Sequence, residues 1–197
     1  MRLIPLTMAT VLALGLTACA KAPQAEIDAA KLALDDAQRA QAQDYASEAW
    51  TAAKDAEAKL QTELEAQKQS WAPLRSYQAA KQLAQHTKTE AERAAKEATE
   101  AKERTKLEVE TMMAQARDAY AGAQEALSKA PRGKGTEADL ASLKTDTASI
   151  EAQLQEMQQL YDAGDYLGAK TKAQAAIDAS KQIQTEIEEA KSRRRSA

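Results

Sequence analysis

The sequence predicts an all-α fold of elongated antiparallel helical hairpins with coiled-coil character, closing in part into a four-helix bundle. Three observations predict it. The 197 residues include 47 alanines and no Phe, with aromatic side chains at 4%, so the large groups of a thick core are scarce. Charged residues reach 29%, which together with the alanine matches the composition of a long helix. Six glycines and four prolines are too few for the turns of an all-β chain.

The elements follow from the breakers. Residues 1–18 carry Arg2 and then an apolar run from Leu3 to Leu16, too short for a stable bilayer span, and read as an export signal. Residues 19–23 hold Cys19, the only cysteine, and a short tether ending at Pro23. A first helix is expected over about 24–71, with Ala30, Ala33, Ala37 and Ala40, then Ala49, Ala53, Ala56, Leu60, Leu64 and Trp71, on one face. The register slips at Asp44-Tyr45-Ala46-Ser47, where a kink or break with Ser47 as cap is expected.

Pro73 separates it from a second helix over about 74–129, the other half of a long hairpin spanning 24–130. Its seam runs from Tyr77, Ala80, Ala84, Thr87, Ala91, Ala94 and Ala98 through Thr105, Val109 and Met112 to Ala116, Ala119, Ala123 and Ala126. Consecutive four-residue steps around Thr105 make a stutter, which locally unwinds a coiled coil. Pairs such as Glu92–Lys96 and Arg93–Glu97 support this helix in water.

After a loop at 131–136, a second hairpin with a basic tail occupies 137–197. Helices over about 137–163 and 166–191 carry seams of Leu140, Leu143, Thr147, Ile150, Leu154, Met157 and Tyr161, and of Tyr166, Ala169, Ala173, Ala176, Ser180, Ile183 and Ile187, joined by Ala163-Gly164-Asp165. Gly122 and Gly168 sit inside helical patterns without ending them. The helix lengths then group 24–43, 98–129, 137–163 and 166–191 as a bundle near the anchor. Residues 47–98 would project as a two-helix arm with a partner-binding tip at Trp71-Ala72-Pro73.

The inventory offers little chemistry. One histidine, His86, cannot assemble a His-based metal cluster, and no nucleophile motif or phosphate loop occurs, so no enzyme, no metal and no cofactor are expected. Both charge signs alternate along the helices, which argues against a nucleic-acid surface. Trp71, Tyr77, Tyr45 and Trp50 flank the first hairpin, either as a partner-contact patch or as packing where alanine would leave voids. Lys191, Arg193, Arg194 and Arg195 either complement a helix C-terminus or touch an anionic surface.

Leu16-Thr17-Ala18-Cys19 resembles the lipobox of bacterial lipoproteins. That resemblance implies cleavage before Cys19 and covalent lipid on its thiol. Removing 1–18 leaves 26 basic and 30 acidic residues. Ala20, where a retained inner-membrane lipoprotein would carry Asp, implies by analogy the outer membrane facing the periplasm. Tyr77 and Tyr166 each precede alanines three and seven residues on, at the start of a return helix, so the chain looks like two diverged hairpins. With the Gly164-Asp165-Tyr166 turn, it resembles an alanine-rich family of bacterial envelope lipoproteins of unknown function, distantly similar to tetratricopeptide hairpins, over most of 22–98 and 137–181. The resemblance implies a helical envelope scaffold without catalytic residues. The expected function is a non-enzymatic scaffold or adaptor for an envelope protein or peptidoglycan, with the membrane as a partner through lipid and a homo-oligomer left open. The alternative is a tetratricopeptide-like peptide-binding module.

Overall fold

The computed structural model describes residues 21–131 and 137–195, and among them the regular structure is helical: α1 (Gln24–Arg39), α2 (Ala42–Tyr45), α3 (Ser47–Gln69), a single 3-10 turn (Ala72–Leu74), α4 (Gln78–Ser128), α5 (Glu137–Asp162) and α6 (Tyr166–Arg195). The all-α fold is as expected. The chain divides into two compact units, with the boundary between Ala98 and Thr99 inside α4.

In the N-terminal unit, α1, α3 and the first half of α4 pack up, down and up. Three buried clusters stack along it: Ile27, Leu60, Ala80 and Ala84 at one end, Ala33, Leu34, Ala53 and Ala91 in the middle, and Ala37, Ala42, Ala49, Ala94 and Ala98 at the other. Alanine at nearly every contact lets the helix backbones approach closely. A salt bridge from Lys81 Nζ to Glu26 Oε1, 2.9 Å, ties the start of α1 to the start of α4. Its hydrogen bond holds the Glu26 carboxyl below the ordinary range.

This arrangement corrects two expectations. The helix expected over 24–71 is interrupted by a full reversal. Ala40 N–H donates to Asp36 O and Gln41 N–H to Gln38 O, both at 2.9 Å, and Gln41 takes a left-handed conformation at φ 59°. The break expected at 44–47 is present, with Ala46 between α2 and α3, but together with the turn at Ala40–Gln41 it reverses the chain where a kinked continuation would have kept its direction. Ser47 is the first residue of α3 and Ala46 stands at its N-cap, so the cap expected from Ser47 is not made. The second correction concerns the bundle. Because α1 folds back along α3 and α4, residues 24–43 belong to the N-terminal unit, and 47–98 is two thirds of a three-helix unit instead of a bare arm. The first turn of α1 lies at the same end as the α3–α4 tip.

The C-terminal unit is also up, down and up, formed by the rest of α4 with α5 and α6. Its core holds Val109, Met113, Ala116, Ala123, Leu143, Ile150, Met157, Ala169, Ala173, Ala176, Ile177, Ile183 and Ile187. Ile150, Met157, Ile187 and Val109 are essentially fully buried, each worth about 1.5–3 kcal/mol. Along α4 the buried steps alternate from Ala80 to Ala98, and the seam then runs in fours from half-buried Ala101 and Thr105 to buried Val109 and Met113. The stutter thus falls in the first turns of the C-terminal unit, and it puts Met113 in the buried place expected for Met112, which packs at the side.

The α5–α6 turn is set by three residues. Gly164, at φ 79°, donates to Tyr161 O at 3.0 Å, and Asp165 N–H donates to Leu160 O at 2.9 Å, closing α5. Asp165 Oδ1 then accepts Gly168 N–H at 2.9 Å and caps α6. Six buried positions recur at a constant offset on the two return helices: Ala80, Ala84, Thr87, Ala91, Ala94 and Ala98 on α4, and Ala169, Ala173, Ala176, Ser180, Ile183 and Ile187 on α6. The tyrosines that open both runs, Tyr77 and Tyr166, are half-buried.

Candidate functional site

The most exposed large apolar side chains among the described residues lie at the α3–α4 tip. Helix α3 ends at Gln69 because Pro73 cannot continue it, and the chain makes one 3-10 turn, with Leu74 N–H donating to Trp71 O at 2.9 Å. The tip is held from inside. Arg75 donates from Nε to Ser70 O and from Nη2 to Lys68 O, both at 3.0 Å, so its guanidinium covers the carbonyl end of α3. Ser76 N–H donates to Gln67 Oε1 at 2.9 Å. With the polar groups turned inward, Trp71 is 72% exposed and Leu74 74%.

The four aromatic residues expected at the first hairpin do not form one patch. Tyr77 packs against the Ile27–Leu60 cluster beside the tip, whereas Tyr45 and Trp50 pack on Ala42, Ala49, Ala94 and Ala98 at the opposite end of the unit. Trp71 follows Trp50 by 21 positions, most of them in α3, which corresponds to about 30 Å. Lys54 lies over the Trp50 ring at 5.7 Å. Packing therefore accounts for Tyr45, Trp50 and Tyr77, while Trp71 alone of the four projects outward. Leu74 was not singled out by the sequence; its place after Pro73 in the break was the available signal.

A shallow groove of about 280 Å³ runs between α1 and α3 in the same unit, floored by Ile27, Leu34, Leu60 and Leu64 and edged by Lys31, Glu57 and Lys68. In the C-terminal unit, a polar cluster lies beside the α5–α6 turn. Tyr161 OH donates to Glu110 Oε1, its ring meets Tyr166 at 5.3 Å, and Lys102 lies over Tyr166 at 5.9 Å. Lys170 pairs with Glu108 at 2.7 Å. The carboxylate beside it holds the Tyr161 phenol up at about 12.

Cys19 and the Leu16, Thr17 and Ala18 that precede it lie outside the described residues. Lys191 pairs with Glu188 at 2.6 Å, and Arg193 is exposed on the last turns of α6; the side chains of Arg194 and Arg195 lie outside the described ones. Exposed His86 has its Nδ1 4.0 Å from Glu90 Oε1. The Glu90 carboxyl is held below its ordinary range by a hydrogen bond from Arg93, which also reaches Glu97 at 3.2 Å, as expected for a solvated face. Glu92 pairs with Lys88 at 3.5 Å, one turn before the Lys96 expected. Among the described residues, no group of three or more His, Cys, Asp or Glu side chains is placed to hold a metal ion, and no helix is long and apolar enough to cross a membrane. No family model, curated protein or solved structure matches the chain.

Proposed function

We propose that the protein is a non-enzymatic envelope lipoprotein, anchored by covalent lipid on Cys19 at the outer membrane and facing the periplasm, where its helical units serve as a scaffold or adaptor for an envelope protein or peptidoglycan. The observation that carries the reading is Leu16-Thr17-Ala18-Cys19 at the end of the only strongly apolar run in the sequence. The lone thiol then has a use, since one cysteine makes no internal disulfide. Several acyl chains at about 0.8 kcal/mol per buried methylene hold a protein firmly on a bilayer. Solvated helix faces of mixed charge suit a spacer more than a reaction centre. Labelling with a radioactive or clickable fatty acid tests the anchor: wild type takes up label, Cys19→Ser takes up none, and equal label in both removes the reading. Recovery of one stable protein or murein partner from solubilised envelopes supports the scaffold role.

A second reading, a tetratricopeptide-like peptide-binding module, is favoured by the apolar groove between α1 and α3. It expects many weak peptide partners in the same recovery experiment, and Leu64→Lys at a half-buried position of the groove floor should release them.

A further inference from the structure

We propose that Trp71 and Leu74 at the α3–α4 tip form a second membrane contact, seating the anchor-proximal end of the N-terminal unit on the lipid surface. The proposal rests on the lipoprotein reading for its source of membrane. Its geometry comes from the fold. Ile27, in the first turn of α1, packs with Leu60, Leu64, Tyr77, Ala80 and Ala84, and Glu26 pairs with Lys81, so α1 begins at the end of the unit that carries the tip. Gln24 follows Cys19 by five positions, and a fully extended chain over those five steps spans at most about 18 Å. Acyl chains on Cys19 would therefore enter the bilayer within that reach of the start of α1, at the end of the unit that carries Trp71 and Leu74.

The chemistry of the tip fits a lipid surface better than a charged protein partner. From Gln69 to Gln78 only Arg75 is charged, and its guanidinium is spent on the carbonyls of Ser70 and Lys68. The loop thus carries one positive charge and no acidic side chain, which suits an anionic lipid surface. Tryptophan favours the headgroup level of a bilayer, where one side of its ring is apolar and its N–H stays wet, and leucine beside it can enter the hydrocarbon boundary. A rigid loop that already exposes both side chains loses little conformational freedom on contact.

The test uses the lipidated protein purified from envelopes and reconstituted in phosphatidylethanolamine–phosphatidylglycerol vesicles, with and without bromine on the acyl chains. Bromine quenches an indole only at close range. The chain has two tryptophans, so the Trp71→Phe variant reports Trp50 alone. The expected result is a Trp71 emission shifted to the blue and at least halved in brominated vesicles, with Trp50 emission unchanged in Trp71→Phe. Mass spectrometry of the same sample shows whether Cys19 carries lipid. If it does and Trp71 emission is the same in both vesicles, or becomes shielded only when periplasmic protein is added, the proposal is overturned while the lipoprotein reading stands. If Cys19 carries no lipid, that reading fails, and the unlipidated chain decides the tip alone. Its binding to the same vesicles should then weaken at least about tenfold in the Trp71→Ala, Leu74→Ala double variant, and equal binding overturns the proposal. Both side chains are exposed, so the variants should melt as wild type does.

Discussion

Gln184 on α6 donates its side-chain amide to the carbonyl of Ala119 on α4 at 3.0 Å, and a methyl group at Gly122 would meet that amide nitrogen at 2.9 Å. A mid-helix glycine that costs about 1 kcal/mol in propensity thus makes room for a hydrogen bond between helices. Gly122→Ala alone should leave stability within about 0.5 kcal/mol of wild type, because the propensity gain is offset by the displaced bond. In a Gln184→Ala background the same change should stabilise by about 1 kcal/mol. Urea unfolding of the four proteins gives the coupling, and strict additivity would show that the amide and the glycine are unrelated.

The α5–α6 turn makes a second prediction. Nothing lies within 4 Å of a methyl group at Gly164, so its substitution is penalised through the backbone alone, at φ 79°. Gly164→Ala should cost about 1–2 kcal/mol. Asp165→Ala removes the cap on Gly168 N–H and should cost about 1 kcal/mol. Gly168→Ala drives a methyl group into the capping carboxylate of Asp165 and should lose most of the same cap. A Gly164→Ala protein as stable as wild type in thermal melts would contradict the first of these.

The α5–α6 hairpin was legible because its seams repeat in threes and fours without interruption and Gly164 has a single use. Every seam position expected from Leu143 through Ile187 is buried or half-buried. The N-terminal unit was read less well for a physical reason. Its core is alanine, which occurs equally on solvated faces, so period and composition could not show whether Ala30 through Ala40 continue the face of Ala49 through Leu60 or fold back upon it. The reversal also depends on Gln41 adopting a conformation that its residue type does not advertise. At the candidate site, Trp71 was recognisable from its place beside Pro73. The separation of Tyr45 and Trp50 from it became visible only with the direction of α3.

The two cores should answer substitution in opposite ways. Ala91 is fully buried among Ala33, Leu34 and Ala53, and Ala91→Leu should force the helices apart at about 1–3 kcal/mol. Ile150 sits in a core that holds larger side chains, and Ile150→Ala should cost about 2–5 kcal/mol through lost burial and the cavity left behind. Peptide-resolved hydrogen exchange reads both. Ala91→Leu should speed exchange in 24–98, and Ile150→Ala in 140–190. Unchanged protection at 24–98 in Ala91→Leu would mean that the alanine contacts are loose.

The Tyr161–Glu110 hydrogen bond should give the fold an alkaline limit. The Tyr161 phenol is the donor, so the bond requires its protonated form. Glu110 favours that form first through the bond, with added contributions from partial burial and from its charge, moving the phenol from 10.0 to about 12. Since the folded state holds this proton more tightly than the unfolded chain does, the stabilisation is fully present below pH 10.0 and is lost as pH rises through about 12. Tyr161→Phe should therefore lower the melting temperature at pH 8, and the difference from wild type should close toward pH 12. Absorbance at 295 nm checks the assignment: the native protein should contain a late-titrating phenol that disappears in Tyr161→Phe and returns toward the ordinary range in Glu110→Gln. Tyr120, raised by burial and then by Glu151, titrates late for its own reasons and should remain in both variants. If Glu110→Gln leaves the late phenol in place, the carboxylate is not its cause.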